Sequence, residues 1–203
     1  GVATGAADGY ARMTGEPALT LLHLGPGYLN AGANIHNARR AYVPMINLIG
    51  DHATSHRDLD APLASDIATL ARPNSRWLQS VERVVDAGAL AAEAYAASFG
   101  PPAGPVSLIL PADIAWTQGA SRAPVAARVD ANLASKRSGG LVAARAVRGA
   151  RQPALLLNGT ALGPRGLDAM ARLLGKGVRV VTDTFIARHL RGAARPAPER
   201  LPY

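Results

Sequence analysis

The chain contains no cysteine, which excludes a disulfide framework, a thiolate metal site and a cysteine nucleophile. Aromatic residues make up only 4% of its 203 positions, too few to interleave with basic residues as base-stacking platforms do. No uninterrupted apolar run reaches about 18 residues, so no membrane span is expected. No G-x-S-x-G occurs, which leaves nucleophilic hydrolysis without support. The first residues, Gly1-Val2-Ala3-Thr4-Gly5, carry neither an initiator methionine nor the basic stretch of a targeting peptide. They read as the interior of a helix, and a reducing cytoplasm is the expected compartment.

What is present is a chain 48% hydrophobic with a net charge of +8, enough for one sizeable core and part of a second. The charge is unevenly placed. Residues 1–118 hold 7 Lys+Arg against 10 Asp+Glu, a balance of −3, whereas residues 119–203 hold 15 against 4, a balance of +11. A basic half can signal nucleic acid. Here single arginines are scattered among Ala, Gly and Pro, which favours a solvated surface and argues against nucleic-acid binding.

Residues 1–118 alternate helical and strand patterns. A helix-like stretch, 1–14, is stopped by Gly15. Strands are expected near 18–24, 44–50 and 105–110, and helices near 29–41, 64–70 and 81–98. Short apolar strands separated by helices predict an α/β domain with an open parallel sheet covered on both faces. Residues 119–135 read as a linker. Residues 136–203 open a second unit: helix 138–150, strand 154–158, turn 159–163, helix 165–174 and strand 178–182. Two strands cannot bury both faces of an open sheet, so this Rossmann-like unit is expected to be incomplete.

Three segments, in order, resemble the pyrimidine-binding domain of the thiamine-diphosphate-dependent family that includes acetolactate synthase, pyruvate decarboxylase and benzoylformate decarboxylase. Ala6-Ala7-Asp8-Gly9-Tyr10-Ala11-Arg12-Met13-Thr14-Gly15 is similar to its A-x-G-Y-A-R-x-T-G. Leu22-His23-Leu24-Gly25-Pro26-Gly27-Tyr28-Leu29-Asn30 is similar to its G-P-G-x-x-N turn. Gly104-Pro105-Val106 through Pro111-Ala112-Asp113 is similar to its G-P-V-x5-P-x-D. Each is weak alone; together, across residues 6–113, they are specific. Pro153 to Gly159 is similar to the first strand of the family's central domain.

The resemblance implies an enzyme acting on a 2-oxo acid with loss of CO₂. The product is an aldehyde, or a hydroxy ketone when a second carbonyl is attacked. It implies thiamine diphosphate, with Mg²⁺ held by a C-terminal domain absent from this chain, and a homodimer or homotetramer. FAD is a further cofactor of some members, and nothing in these residues supports it. The family's activating glutamate falls nine residues before the glycine of G-Y-A-R. From Gly9 that is the position just upstream of Gly1, so the chain is expected to be a piece lacking that carboxylate.

Gly25, Pro26 and Gly27 suit a tight strand-to-helix turn, and the resemblance adds a flat cofactor ring resting on that turn. Asn30 fits either a helix N-terminus, where amides bond free N–H groups, or a cofactor-lining position. His23 is either a satisfied histidine at a strand end or a proton relay, since its ordinary pKa lies near neutrality. Benzoylformate decarboxylase-like members place an active-site histidine at this spacing from the same asparagine. Asp51 and His52 follow the second strand, at the carboxyl end where open parallel sheets place ligands. Acetolactate synthase-like members carry T-G-Q where this chain has Ile49-Gly50-Asp51. His52, His56, Asp51, Asp58 and Asp60 fit no standard metal-ligand spacing, and a polar loop is expected. Leu63 and Ser65 are candidate walls of a substrate pocket.

The expected function is therefore an acetolactate synthase-like carboligase or decarboxylase, with a benzoylformate-type decarboxylase as the alternative suggested by His23. A non-catalytic nucleotide-binding or regulatory module on the same architecture stays open, because fold does not fix function.

Overall fold

The computed structural model describes residues 1–124, 137–190, 192 and 194–202. It divides into two compact units, Gly1–Val129 and Asp130–Tyr203. Most of the linker expected at 119–135 lies outside the described residues.

In the first unit, α1 (Val2–Thr14) ends where Gly15 adopts φ 79°, its N–H donating to Ala11 O. Strand β1 (Ala18–His23) runs directly into α2 (Leu24–Arg40), and β2 (Met45–Asp51) follows. A loop with a 3-10 turn at Thr54–Leu59 leads to the short α3 (Ile67–Ala71). Then come β3 (Leu78–Ser80), α4 (Ala87–Phe99), β4 (Pro105–Pro111) and α5 (Ala112–Trp116). The strands form one parallel sheet in the order β1-β2-β4-β3.

One face of the sheet is closed by α2. Tyr28, Ile35 and Ala38 of α2 are fully buried, as are Met45 and Ile49 of β2 and Val43 before it; each large side chain contributes about 1.5–3 kcal/mol by leaving water. Across the sheet runs a buried polar row. Thr20 Oγ1 donates to Asn47 Oδ1 at 2.8 Å, Asn47 Nδ2 donates to Val106 O at 3.3 Å, and Ser107 and Ser75 share a hydroxyl bond at 2.8 Å. Thr20, Asn47 and Ser107 are partners in register on β1, β2 and β4.

Several expectations need correction. The Gly25-Pro26-Gly27 segment is not a loop turn but the first turn of α2, which starts at Leu24 rather than at 29. The first helical N–H groups have no intrahelical acceptor, so Pro26 costs nothing there. The sharp reversal falls instead on Leu24, a buried non-glycine residue at φ 51°. Strand β1 is covered on one face only. It lies at the sheet edge, and Leu19 and Leu21 are 66% and 74% exposed. Helix α4 reaches β4 and β2 and leaves an apolar hollow of about 520 Å³ beside Leu19. Strand β3, three residues long, escapes any periodicity search.

In the second unit, α6 (Arg137–Gly149), β5 (Ala154–Leu157), α7 (Pro164–Leu174) and β6 (Arg179–Thr182) match the expected order. A third parallel strand, β7 (Glu199–Arg200), extends the sheet beyond the two expected. It has no apolar pattern. It is held by Leu201 N–H donating to Thr182 O at 3.0 Å and by the Arg179–Glu199 ion pair at 2.6 Å. The core here is Leu167, Met170 and Val180.

The loop after β2 is pinned to the end of β4. Asp113 accepts from the Thr54 N–H at 3.1 Å and from the Thr54 hydroxyl at 2.5 Å. The Thr54 hydroxyl bond is the chief reason the Asp113 carboxyl lies below its usual range. A depressed carboxylate stabilises the fold above the unfolded carboxylate pKa, and that contribution is lost as pH falls through the folded value. Protection of the Thr54 amide, its exchange rate relative to an unstructured chain at the same pH, should therefore hold at neutral pH and fall only in acid, below the ordinary carboxylate range. In Asp113→Asn the acid step should vanish; an unchanged step would remove the pin from the account. For the buried row, Thr20→Val leaves Asn47 Oδ1 without its donor and should cost about 1–3 kcal/mol in urea denaturation. Combining it with Asn47→Leu should cost less than the two single changes added together.

Candidate functional site

Three carboxyl strand ends and the pinned loop enclose a cavity of about 580 Å³. Asp51 ends β2, and Ser80 ends β3 with Glu82 just beyond it. His52, Arg57, Ser65 and Asp66 come from the connecting loop, where Asp60 turns the chain at φ 45°. Asp66 then caps α3 by accepting from Thr69 N–H at 2.9 Å. The loop's local folding is thus set by short polar side chains bonding nearby backbone, as turns favour.

Arg57 is the hub of this cavity. Its guanidinium donates to both Glu82 oxygens at 3.2 and 3.4 Å and to Ser80 Oγ at 3.4 Å. It also stands 4.0 Å from Asp51 Oδ2. The Arg57 bond, then that of Ser80, holds the Glu82 carboxyl below its usual pKa. Around this one cation stand the carboxylates of Asp51, Asp60, Asp66 and Glu82, so the cavity disfavours an anionic guest. His52 presents a buried Nε2 with no hydrogen-bond partner, although its N–H donates to Asp51 Oδ1 at 2.8 Å. A buried nitrogen without a partner is rare in a folded protein and marks this side of the cavity as unusual.

The residues expected to serve function fall into two groups. Asp51, His52 and Ser65 line the cavity, while Leu63 is 39% exposed and stands outside its wall. His23, Pro26 and Asn30 are exposed at the start of α2. Pro26 and Asn30, four apart, share one helix face, and His23 sits at the end of β1, paired in register with Gly50. His23 does not line the cavity. Gly25 joins the two groups: a Cβ there would overlap the Ser65 hydroxyl, so only glycine lets the loop close on α2. At Gly27 a Cβ would stand 3.3 Å from His23 Cβ. Gly1 rests near Asn30, its Cβ position 3.7 Å from the Asn30 carbonyl oxygen, and its own carbonyl accepts from Asn34 Nδ2 at 2.7 Å.

Sequence reasoning missed Arg57, Ser80, Glu82 and the Thr54–Asp113 pin. Each joins segments 23 to 59 residues apart, and no spacing rule within one element reaches that far.

This donor set would suit the aminopyrimidine end of thiamine diphosphate through the exposed Asn30 amide at the start of α2. It does not fit the other end. Among the described residues no group of three His, Asp or Glu side chains is placed to hold a metal ion, and the cavity's carboxylates oppose a diphosphate. Nor is any helix among the described residues long and apolar enough to cross a membrane.

Comparison with known proteins agrees with this geometry. Residues 1–74 match the family "Thiamine pyrophosphate enzyme, N-terminal TPP binding domain". A Mycobacterium tuberculosis protein described as a candidate acetolactate synthase large subunit, IlvX, is 47% identical over 204 residues, covering 100% of this chain and 39% of the relative. The acetolactate synthase large subunit of Buchnera aphidicola subsp. Schizaphis graminum is 38% identical over 113 residues, 55% of this chain and 20% of its own length. Among solved structures, a candidate thiamin diphosphate-dependent enzyme isolated from Mycobacterium smegmatis superposes with a TM-score of 0.75 at 30% identity, covering 90% of this chain and 36% of that one. The chain thus spans about two fifths or less of the relatives it matches. Parallel-sheet architecture, motif order and these matches make the chain similar to the N-terminal part of thiamine-diphosphate-dependent enzymes, acetolactate synthase large subunits among them.

Proposed function

We propose that this chain supplies the aminopyrimidine side and part of the substrate pocket of a thiamine-diphosphate-dependent enzyme that decarboxylates a 2-oxo acid and joins the product to a second carbonyl, as an acetolactate synthase does. The observation that carries the proposal is the pairing of the exposed His23–Pro26–Asn30 face with the Asp51–His52–Ser65 cavity wall, brought together by the contact of Gly25 with Ser65. When bound, the cofactor supplies the electron sink that makes loss of CO₂ feasible. In this reading Asn30 and the first α2 turn orient the ring, and His52 bonds it or the substrate through Nε2. The pinned loop excludes water from the reacting side. Arg57 is already engaged by Glu82, so it orders the loop rather than standing free for a substrate carboxylate.

Gly1, at the start of α1, lies beside Asn30 and Asn34 at this end of α2. Mg²⁺ and the diphosphate belong to a further domain in this proposal, and the working enzyme is a homodimer or homotetramer in the cytoplasm. A benzoylformate-type decarboxylase is the second reading, favoured by one observation: His23 is solvent-exposed at a carboxyl strand end, where a relay between bulk water and a bound substrate would stand.

The two readings separate on His23. In the full-length enzyme His23→Ala should lower kcat by ~10²–10⁴-fold if it relays protons. The thermal midpoint should hardly move, because an exposed side chain buries little area. Near-normal turnover would remove His23 from the chemistry and leave the carboligase reading. For the division of labour, calorimetric titration of the 203-residue chain with thiamine diphosphate and Mg²⁺ should show no saturation at micromolar cofactor. Clear saturation there would mean that the diphosphate is held by this chain.

A further inference from the structure

The opposite edge of the first sheet carries a feature that the reaction does not use. Where β2, β3 and β4 begin, three arginines gather, and among the described residues no carboxylate pairs with any of them. Arg39 and Arg40 close α2. Arg76 precedes β3, its N–H donating to Pro105 O at 2.7 Å. The Arg76 guanidinium lies over the Tyr42 ring, 5.5 Å from its centroid, and Tyr42 itself holds a left-handed backbone, φ 58°. Gly104 makes room for the arginine: a Cβ there would stand 2.9 Å from Arg76 Cγ and 3.1 Å from its Nε. The side chain is thus seated by a strained aromatic residue on one side and a glycine on the other.

Like charges held together without a counter-charge repel, and two signs of that are visible. Burial, followed by the charges of Arg39 and then Arg40, pushes the Arg76 guanidinium below its usual pKa. The Nε atoms of both Arg39 and Arg76 are buried without an acceptor, a condition that calls for an explanation in a folded protein. The carboxyl end of α2 favours cations and explains part of the cluster. Yet Ala41, Tyr42 and Val43 already donate to the Asn37, Arg39 and Ala38 carbonyls, and Arg76 is not on that helix.

We propose that Arg39, Arg40 and Arg76 form a binding site for a phosphate group, carried free or on a small phosphorylated molecule, at the amino edge of the first sheet. Guanidinium forks match tetrahedral oxyanions, and three neighbouring guanidinium groups suit a dianion's charge better than a single carboxylate's. Open α/β sheets place their reacting ligands at the carboxyl edge, so this is a second, separate site, independent of the cofactor reading.

The test is calorimetric titration of the 203-residue chain with inorganic phosphate and with pyrophosphate, against sodium chloride at matched ionic strength. Saturable binding is expected for the phosphates at roughly millimolar concentration, above the micromolar range in which thiamine diphosphate should show none, and not for chloride; preference for pyrophosphate would point to a phosphorylated ligand, and equal binding to free phosphate. Arg76→Gln should weaken binding about ten-fold or more, a loss of about 1.4 kcal/mol. So should the double change Arg39→Gln with Arg40→Gln, which lies at a helix end and tests the site even if Arg76→Gln disturbs the fold. Arg83→Gln, the same charge change at an arginine 70% exposed, should leave binding intact. The proposal is overturned if there is no saturable binding, if chloride acts equally, or if the double variant binds like the parent.

Discussion

A hydrogen-bonded row crosses the first sheet at mid-height, from Thr20 on β1 through Asn47 on β2 to the Val106 carbonyl on β4. Ser107 and Ser75 continue the polar layer at the same level. Asn47 and Ser107 are fully buried, so every one of these groups must find its partner or lose the full cost of desolvation. A one-residue slip of β1 against β2 would carry Thr20 to the opposite face and bring Leu19 or Leu21 to Asn47. The row therefore sets the register, and the register sets where Asp51, Ser80 and Ile109 finish. The cavity exists because those strand ends arrive at one level and the loop from β2 is tied across them by Thr54 and Asp113.

The parallel α/β plan was legible because it rests on local signals: short apolar runs, helical spacing and glycine stops. The segments around Gly9, Gly25 and Gly104 were legible as a set because their order and spacing carry the family pattern. What escaped was set by partners distant in the chain. Nothing local marks Leu24 as the residue that takes the left-handed turn, and a Gly-Pro-Gly string invites a loop until the unsatisfied N–H groups of a helix start are counted. Strand β1 looked buried because Leu19, Leu21 and Leu22 are all apolar; only the edge position shows that alternate residues face outward. Arg57 carried no local signal, since its role comes from Glu82, 25 residues further on. Strand β7 has a charged sequence and is a strand only because β6 offers it an edge.

The two edges of the sheet differ in chemistry. At the carboxyl edge four carboxylates surround one arginine that is already paired, and a histidine nitrogen is left over. Electrostatically that environment favours a neutral or basic group over a phosphate. At the amino edge three arginines cluster, and among the described residues no carboxylate pairs with them. One parallel sheet, with its helix ends and connecting loops, thereby offers two environments of opposite preference.

The proposal that the carboxyl edge of this sheet receives an aminopyrimidine can be tested without the rest of the enzyme. The most direct measurement is a ¹⁵N chemical-shift titration of the 203-residue chain with a 4-aminopyrimidine fragment of the cofactor that carries no phosphate. The account predicts saturable shifts at Gly27, Asn30 and His52, with Arg39 and Arg76 unmoved. Shifts confined to other surfaces, or none at these three residues up to millimolar fragment, would contradict it.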